Sequence, residues 1–372
     1  MKITKVEAIE VRLPESEMEH KASAAQDALL IRIHTDAGIV GIGEVDSSAR
    51  VAKAVVEAPM SHSIATGLGR LLIGMNPLDI EVINERLYQA TFYYGRRAVV
   101  VHTIGGIDLA LWDIAGKFYK QPIYQLLGGA FQRRIRAYAS DLFGRNGRET
   151  REKGKRWVDQ GFTAVKFGWD PMGQSEKLDL ELVEGARRGV GDQNDVLIDA
   201  GCCWDTKTAK TRARQFEQFR ILWLEEPLSQ DNLYGYRELS QVSNIPIAAG
   251  EGEAGIYAWQ DLIERGNIDV AQIDLARNGF TVSRKVADLA ESRGLRVVNH
   301  FYSTPINLVA GLHWLVSRKS AFIFEYCIEE SPIRRKIAKP DIEVIDGYIT
   351  VPEEPGLGVE LDEEAVSKYR VG

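Results

Sequence analysis

The chain of 372 residues is 45% hydrophobic and carries 46 Lys and Arg against 53 Asp and Glu, a net charge of −7. That length fits a barrel of about 250 residues plus a second unit of roughly 100 to 150. The acidic balance, with no basic cluster beyond short runs such as Arg133-Arg134, argues against nucleic acid as a partner, and three cysteines, two adjacent at Cys202 and Cys203, make no disulfide framework and suit a reducing cytoplasm.

The N-terminus alternates apolar and polar residues and lacks the apolar core of a signal peptide, so it reads as a strand. No apolar run reads as long enough to span a membrane. An antiparallel sheet is predicted over residues 3–13, 28–34 and 39–45, with Thr35-Asp36-Ala37-Gly38 as its hairpin turn. Residues 14–26 form a polar loop of a length that often serves as a lid, which makes His20 a candidate substrate contact; a plain surface excursion fits the same composition. From residue 48 to 120 the periodicity is helical, and Ile104, Ile107, Leu111, Ile114 and Ala115 make one apolar face of a helix over 102–117. Phe92-Tyr93-Tyr94-Gly95-Arg96-Arg97 groups aromatic rings with guanidinium groups, so Tyr94 and Arg96 are candidates for polyol and carboxylate recognition. Core tyrosines and a surface arginine pair would give the same pattern.

The period then changes again. A strand over 135–140 is followed by a helix over 149–160 and by Thr163-Ala164-Val165-Lys166, which ends on a lysine, and later helices are expected to close on Gly161, Gly189, Gly266 and Gly294. Three short apolar runs then each end on a carboxylate: Val196-Leu197-Ile198-Asp199, Leu222-Trp223-Leu224-Glu225 and Pro246-Ile247-Ala248-Ala249-Gly250-Glu251. The spacings are 26 residues (225−199) and 26 again (251−225), the length of one strand-loop-helix-loop unit. The beat continues to Asp274, His300 and Glu325 at steps of 23, 26 and 25. Buried parallel strands read as continuous apolar runs, and in a barrel their C-terminal ends converge on one mouth. The predicted fold is α/β, a (β/α)7-8 TIM-like barrel preceded by an N-terminal α+β capping domain.

A carboxylate after any one strand is as readily the N-cap of the next helix. Six polar groups in phase exceed what capping requires. Carboxylates brought together without a cation repel and raise one another's pKa, so Asp199, Glu225 and Glu251 are read as ligands of a divalent ion, and the all-oxygen set favours Mg²⁺ over zinc. Trp204, just past Asp199, is a further candidate substrate contact. Beyond Glu325 a charged, proline-containing stretch leaves the barrel, and Asp346-Gly347 signals a hairpin. The tail is expected to return to the N-terminal sheet, giving a capping domain over 1–125, a barrel over 126–340 and a completing segment over 341–372.

His300 stands apart from the other histidines because it ends a strand in phase with the carboxylates, while Asp274 ends the preceding one. A carboxylate that accepts one ring N–H fixes the tautomer, leaving the other nitrogen as a general base. His34 and His102 lie within strand and helix patterns and read as structural.

With these residues in hand the chain resembles, over nearly its whole length, the enolase superfamily, in particular its mandelate racemase-like acid-sugar dehydratase branch. The stretches that carry the resemblance are Gly105-Gly106-Ile107-Asp108-Leu109-Ala110-Leu111-Trp112-Asp113, Leu224-Glu225-Glu226-Pro227, Gly250-Glu251, Gln272-Ile273-Asp274 and Pro355-Gly356-Leu357-Gly358. It implies Asp199, Glu225 and Glu251 as Mg²⁺ ligands, Asp274 and His300 as the Asp-His dyad, and Glu325 as an acid beside the substrate carboxylate that adds a hydrogen bond. Lys166 matches the first lysine of the family's Lys-x-Lys, and Gly168 stands where the second would be, so bases on both faces are not implied. The implied activity is a lyase that removes the proton α to the carboxylate of an aldonic or aldaric acid, forms a metal-stabilised enediolate and loses the β-hydroxyl to give a 2-keto-3-deoxy acid. A homo-oligomer acting on a small sugar acid, without nucleic acid or membrane, is the matching expectation. Rival readings are a lactone cycloisomerase or epimerase of the same superfamily, a barrel glycosidase, which needs two carboxylates and no metal, and a non-catalytic sugar-acid binding protein.

Overall fold

The computed structural model describes residues 1–14 and 26–371. Strands β1 (Ile3–Arg12), β2 (Asp27–Thr35) and β3 (Val40–Val45) pair antiparallel in that order. The expected turn closes with the Thr35 N–H donating to Ile39 O and Gly38 at φ +75°. The helix Val99–Tyr119 packs on β3, where Gly41 and Gly43 permit the approach: a Cβ at either would lie 2.1 Å from Ala110 O or 2.0 Å from Gly106 O.

By length and apolar composition that helix is long enough to cross a membrane, which corrects the reading that no run is, but 94% of its most apolar window is buried inside the protein. It is a core helix whose polar groups fasten three parts of the chain. Asp108 accepts from the Thr281 N–H at 2.9 Å, and Trp112 Nε1 donates to Thr281 Oγ1 at 3.1 Å, both on a barrel helix. Asp113 accepts from Ile42 N–H of β3 at 3.0 Å and from Leu357 N–H of the tail at 2.9 Å.

The barrel strands are β4 (Arg134–Leu142), β5 (Ala164–Gly168), β6 (Asp195–Asp199), β7 (Leu224–Glu225), β8 (Ile247–Ala249), β9 (Val270–Ile273), β10 (Arg296–Asn299) and β11 (Phe324–Cys327). All pair in parallel along the path β10-β9-β8-β7-β6-β5-β4-β11. The ring closes between β10 and β11 through one side chain: Asn299 Nδ2 donates to Glu325 O at 3.2 Å, and its Oδ1 accepts from Glu325 N–H at 2.8 Å. Helices Gly147–Asp159, Glu176–Val190, Thr206–Phe216, Leu233–Ser240, Ile256–Asp261, Leu275–Ser292 and Pro305–Val316 follow the first seven strands, and the element directly after β11 is the short helix Pro332–Lys336. Among the described residues the barrel is thus (β/α)7β.

Two of the four expected terminal glycines end helices, Gly161 at φ +95° and Gly294 at φ +79°. Gly189 instead lies within its helix, where a Cβ would come 2.3 Å from Arg151 O, and Gly191 at φ +80° makes the stop. After Gly266 it is Asn267, at φ +57°, that takes the left-handed position. A glycine selected for close helix packing and one selected for a helix stop look alike in sequence. In the tail, Asp346 and Gly347 form a tight turn at φ +51° and +73°, and Tyr348–Thr350 pairs antiparallel with the start of β4. Arg370 bridges to Val11 of β1, so the tail touches both units.

Candidate active site

One apolar side chain from each barrel strand or the residue just before it, Tyr138, Ala164, Leu197, Trp223, Ala248, Val270, Val298 and Ile323, forms an inner layer. Side chains alternate along a strand, so the residue two further on returns to the inward face one step nearer the mouth. Applied to Ala164, Leu197, Trp223, Val298 and Ile323, this rule delivers Lys166, Asp199, Glu225, His300 and Glu325. Asp274 has the same parity from Val270. Glu251 departs from the phase: Gly250, at φ +124° and with no room for a Cβ beside the Trp259 ring, takes the inward position and redirects the chain.

Oxygens of Asp199, Glu225 and Glu251 lie within 4.8 Å of one another. Burial and the neighbouring Glu225 push Asp199 well above the usual carboxylate range, and burial raises Glu225 despite Lys166. Crowded buried carboxylates with too little positive charge are what a hard divalent cation relieves, and three carboxylates are oxygen donors of the right kind. Glu225 is fixed by Trp223 Nε1 at 2.9 Å, and Asp199 by the Gly201 N–H at 2.8 Å.

Lys166 Nζ sits 2.5 Å from Glu225 Oε1 and 2.7 Å from Glu325 Oε1. Burial disfavours its charge, but the two carboxylates outweigh that and hold the amine well above its ordinary value, so it is a fixed cation. Glu325 also accepts from Ser140 Oγ and from Phe301 N–H, each at 2.8 Å. Burial would raise its pKa, yet Lys166, His300 and the hydrogen bond from Ser140 bring it below the usual range. In this arrangement Glu325 accepts from Lys166 and holds it at the mouth.

His300 Nδ1 lies 2.7 Å from Asp274 Oδ2, and its Nε2 lies 3.4 Å from Glu251 Oε2. Burial pulls the imidazole down, but Glu251, Asp274 and Glu325 override it and push its pKa up to about 10. Asp274 also accepts from the Arg277 N–H at 3.1 Å, capping Leu275–Ser292. Of the six strand-end groups it is the one that doubles as a helix cap.

Lys166, Asp199, Glu251 and His300 line a cavity of about 320 Å³ walled by Trp169 and Tyr302. A Cβ at Gly168 would lie 2.8 Å from both Cβ and Oδ2 of Asp199, so the position of the second family lysine has no room for a side chain. Trp169 follows at φ +66°, with its indole against Gly201. Arg277 also borders the cavity, paired with Asp46 at 2.9 Å and donating to Glu251 O at 2.6 Å. Sequence reasoning missed it; its only signal was its place three residues after Asp274.

Of the expected substrate contacts, Tyr94, Arg96 and Trp204 do not line this cavity. The Tyr94 hydroxyl donates to Thr66 O at 2.8 Å, and Arg96, with Tyr257, lines a separate cavity of about 670 Å³. Trp204 is buried against Phe216, its ring centroid 5.9 Å away, among the barrel helices. His20 lies outside the described residues.

Residues 3–128 match the family described as mandelate racemase / muconate lactonizing enzyme, N-terminal domain, and residues 149–365 match enolase C-terminal domain-like. The chain is 31% identical to a D-galactarolactone cycloisomerase of Agrobacterium fabrum, over 92% of this chain and 91% of that protein. It is 32% identical to a D-xylonate dehydratase of Haloferax volcanii, over 92% and 85%. In structure it is similar to the 3,6-anhydro-D-galactonate cycloisomerase from Zobellia galactanivorans, with a TM-score of 0.90 at 29% identity over all of both chains.

Proposed function

The chain belongs to the mandelate racemase / muconate lactonizing enzyme family of the enolase superfamily, and from that premise we propose that it is a Mg²⁺-dependent sugar-acid dehydratase, a hydro-lyase acting on an aldonic or aldaric acid. The observation that carries this reading is that His300, held by Asp274, lines the same cavity as Asp199 and Glu251, two of the three converging carboxylates. Asp199, Glu225 and Glu251 would hold the ion, which when bound supplies Lewis-acid stabilisation for the negative charge that α-proton removal leaves behind.

The chain's own groups account for the proton movements. A cation held by Asp199, Glu225 and Glu251 would offset the Glu251 charge that most raises His300; in the neutral imidazole that this favours, Nδ1–H is donated to Asp274, Nε2 presents its lone pair to the α-proton, and the Asp274 carboxylate stabilises the imidazolium that results. Lys166, held between Glu225 and Glu325, keeps a positive charge at the cavity without reorganising. The imidazolium then returns its proton to the departing β-hydroxyl, which leaves as water from the same face. Gly168 offers no base opposite. The product is the enol of a 2-keto-3-deoxy acid, which ketonises.

The likeness to a galactarolactone cycloisomerase favours one second reading, a lactone cycloisomerase that uses the same dyad. Incubating the Mg²⁺-loaded protein with a panel of aldonic and aldaric acids in D₂O, with and without EDTA, separates the two. A 2-keto product that disappears with EDTA is expected. Deuterium incorporation without a 2-keto product would favour the cycloisomerase, and EDTA-resistant turnover would remove the metal from the account.

A further inference from the structure

The buried Asp274 carboxylate has a third partner besides His300 and its helix N–H. Asn307 Nδ2 donates to both of its oxygens at 3.2 Å. Asn307 belongs to the helix Pro305–Val316, and its amide is fully used: Nδ2 also donates to Ser303 Oγ at 2.9 Å, while Oδ1 accepts from Ala276 N–H at 3.0 Å. Exchanging O and N would set a donor against a donor and an oxygen against the carboxylate, so one orientation is fixed. The same residue is anchored from the capping sheet. Its backbone N–H donates to Glu44 Oε2 at 3.1 Å, and Thr304 donates to Glu44 through its N–H at 3.0 Å and its hydroxyl at 2.6 Å. Glu44 is fully buried near the end of β3 and serves the N-terminal N–H groups of a barrel helix whose first turn carries no acidic residue of its own.

We propose that Asn307 is a positioning residue for the Asp274–His300 dyad and that Glu44 makes this placement depend on the capping sheet being docked. The inference rests on the dyad reading above. Held only by the imidazole on Oδ2 and one helix N–H on Oδ1, the carboxylate of Asp274 keeps more freedom to twist about its Cβ–Cγ bond. Donation from Asn307 to both oxygens fixes its plane, and with it the direction in which His300 Nε2 faces the cavity. Small misplacements of a reacting group are costly in rate. Glu44 then links cap docking to base geometry through hydrogen bonds that do not touch the substrate.

The test compares Asn307→Ala and Glu44→Gln with wild type using kcat, KM, calorimetric Mg²⁺ affinity, the α-deuterium isotope effect, and the downfield proton resonance of the His300 Nδ1–H, identified by its loss in His300→Asn. Positioning predicts that Asn307→Ala lowers kcat by about tenfold or more while KM and Mg²⁺ affinity stay within about twofold. The isotope effect should rise and the downfield resonance should broaden or move upfield. Glu44→Gln should shift the same readouts in the same direction by less, and it decides the matter if Asn307→Ala fails to fold. An unchanged resonance with kcat within about twofold, or a parallel loss of kcat, KM and Mg²⁺ affinity, would overturn the inference. If the wild type converts no sugar acid but the resonance responds as stated, the dehydratase reading falls and the positioning role stands.

Discussion

Replacing Asp274 with Asn changes one atom of the dyad and removes both its charge and the acceptor that faces His300 Nδ1. Asn serves as a helix N-cap about as well as Asp, so Oδ1 can keep the Arg277 N–H that it accepts at 3.1 Å and the helix Leu275–Ser292 keeps its start. The new NH₂ group then occupies the place of Oδ2, 2.7 Å from His300 Nδ1. A donor there forces Nδ1 to accept, which moves the ring proton to Nε2 and removes the base. Loss of the charge-assisted hydrogen bond alone, about 1.5–3 kcal/mol, corresponds to roughly 10- to 150-fold in rate, and the tautomer change adds to it. The assay is α-hydrogen exchange in D₂O followed by NMR beside kcat for dehydration, with thermal melting as a fold check. Exchange within about threefold of wild type in a folded variant, less than the loss of one charged hydrogen bond, would refute the argument.

Calorimetry of metal-free protein should reveal one Mg²⁺ site per chain, and Gly168→Ala should weaken it because its Cβ would lie 2.8 Å from Asp199; wild-type affinity in that variant would mean that Asp199 does not hold the ion. Metal-free stability should fall between pH 6.5 and 8. Burial raises Glu44 to about 8 from an unfolded value of 4.5, and Glu251, Asp274 and Glu325 override burial to raise His300 to about 10. In that window the folded state therefore binds more protons than the unfolded chain, and the stability each group contributes at low pH is lost as pH rises. His102 and His313, held down at about 4 by burial, work in the opposite direction but only below their ordinary value of 6.5. Urea midpoints at the two ends of the window check this: a fall is expected, shallower in Glu44→Gln, and a rise would contradict the assignment.

The barrel and most of its mouth were legible because both follow from local patterns. Apolar runs at a constant step announced the strands, and the two-residue alternation that buries Leu197, Trp223 and Val298 carries Asp199, Glu225 and His300 to the same face. Asp274 shows the limit of the capping objection, since it caps a helix and holds His300 at once. What stayed hidden depends on contacts between segments far apart in sequence. Asn307 reads as an ordinary helix residue until Glu44, 263 positions away, is seen to accept from its N–H. Tyr94, Arg96 and Trp204 had suitable chemistry, but composition says nothing about which side of a helix or cavity a ring will face. Gly189 and Gly191 differ only in whether a neighbouring helix presses on the site or the chain turns left-handed there.

The central claim is that His300 is the base and not a metal ligand. The most direct measurement is α-hydrogen exchange of a sugar acid in D₂O by Mg²⁺-loaded His300→Asn, with Mg²⁺ affinity measured on the same sample. The account predicts that exchange and dehydration both disappear while Mg²⁺ binds as in wild type. Wild-type exchange in this variant would make Lys166 the base and contradict the mechanism, and loss of Mg²⁺ binding would make His300 part of the metal site.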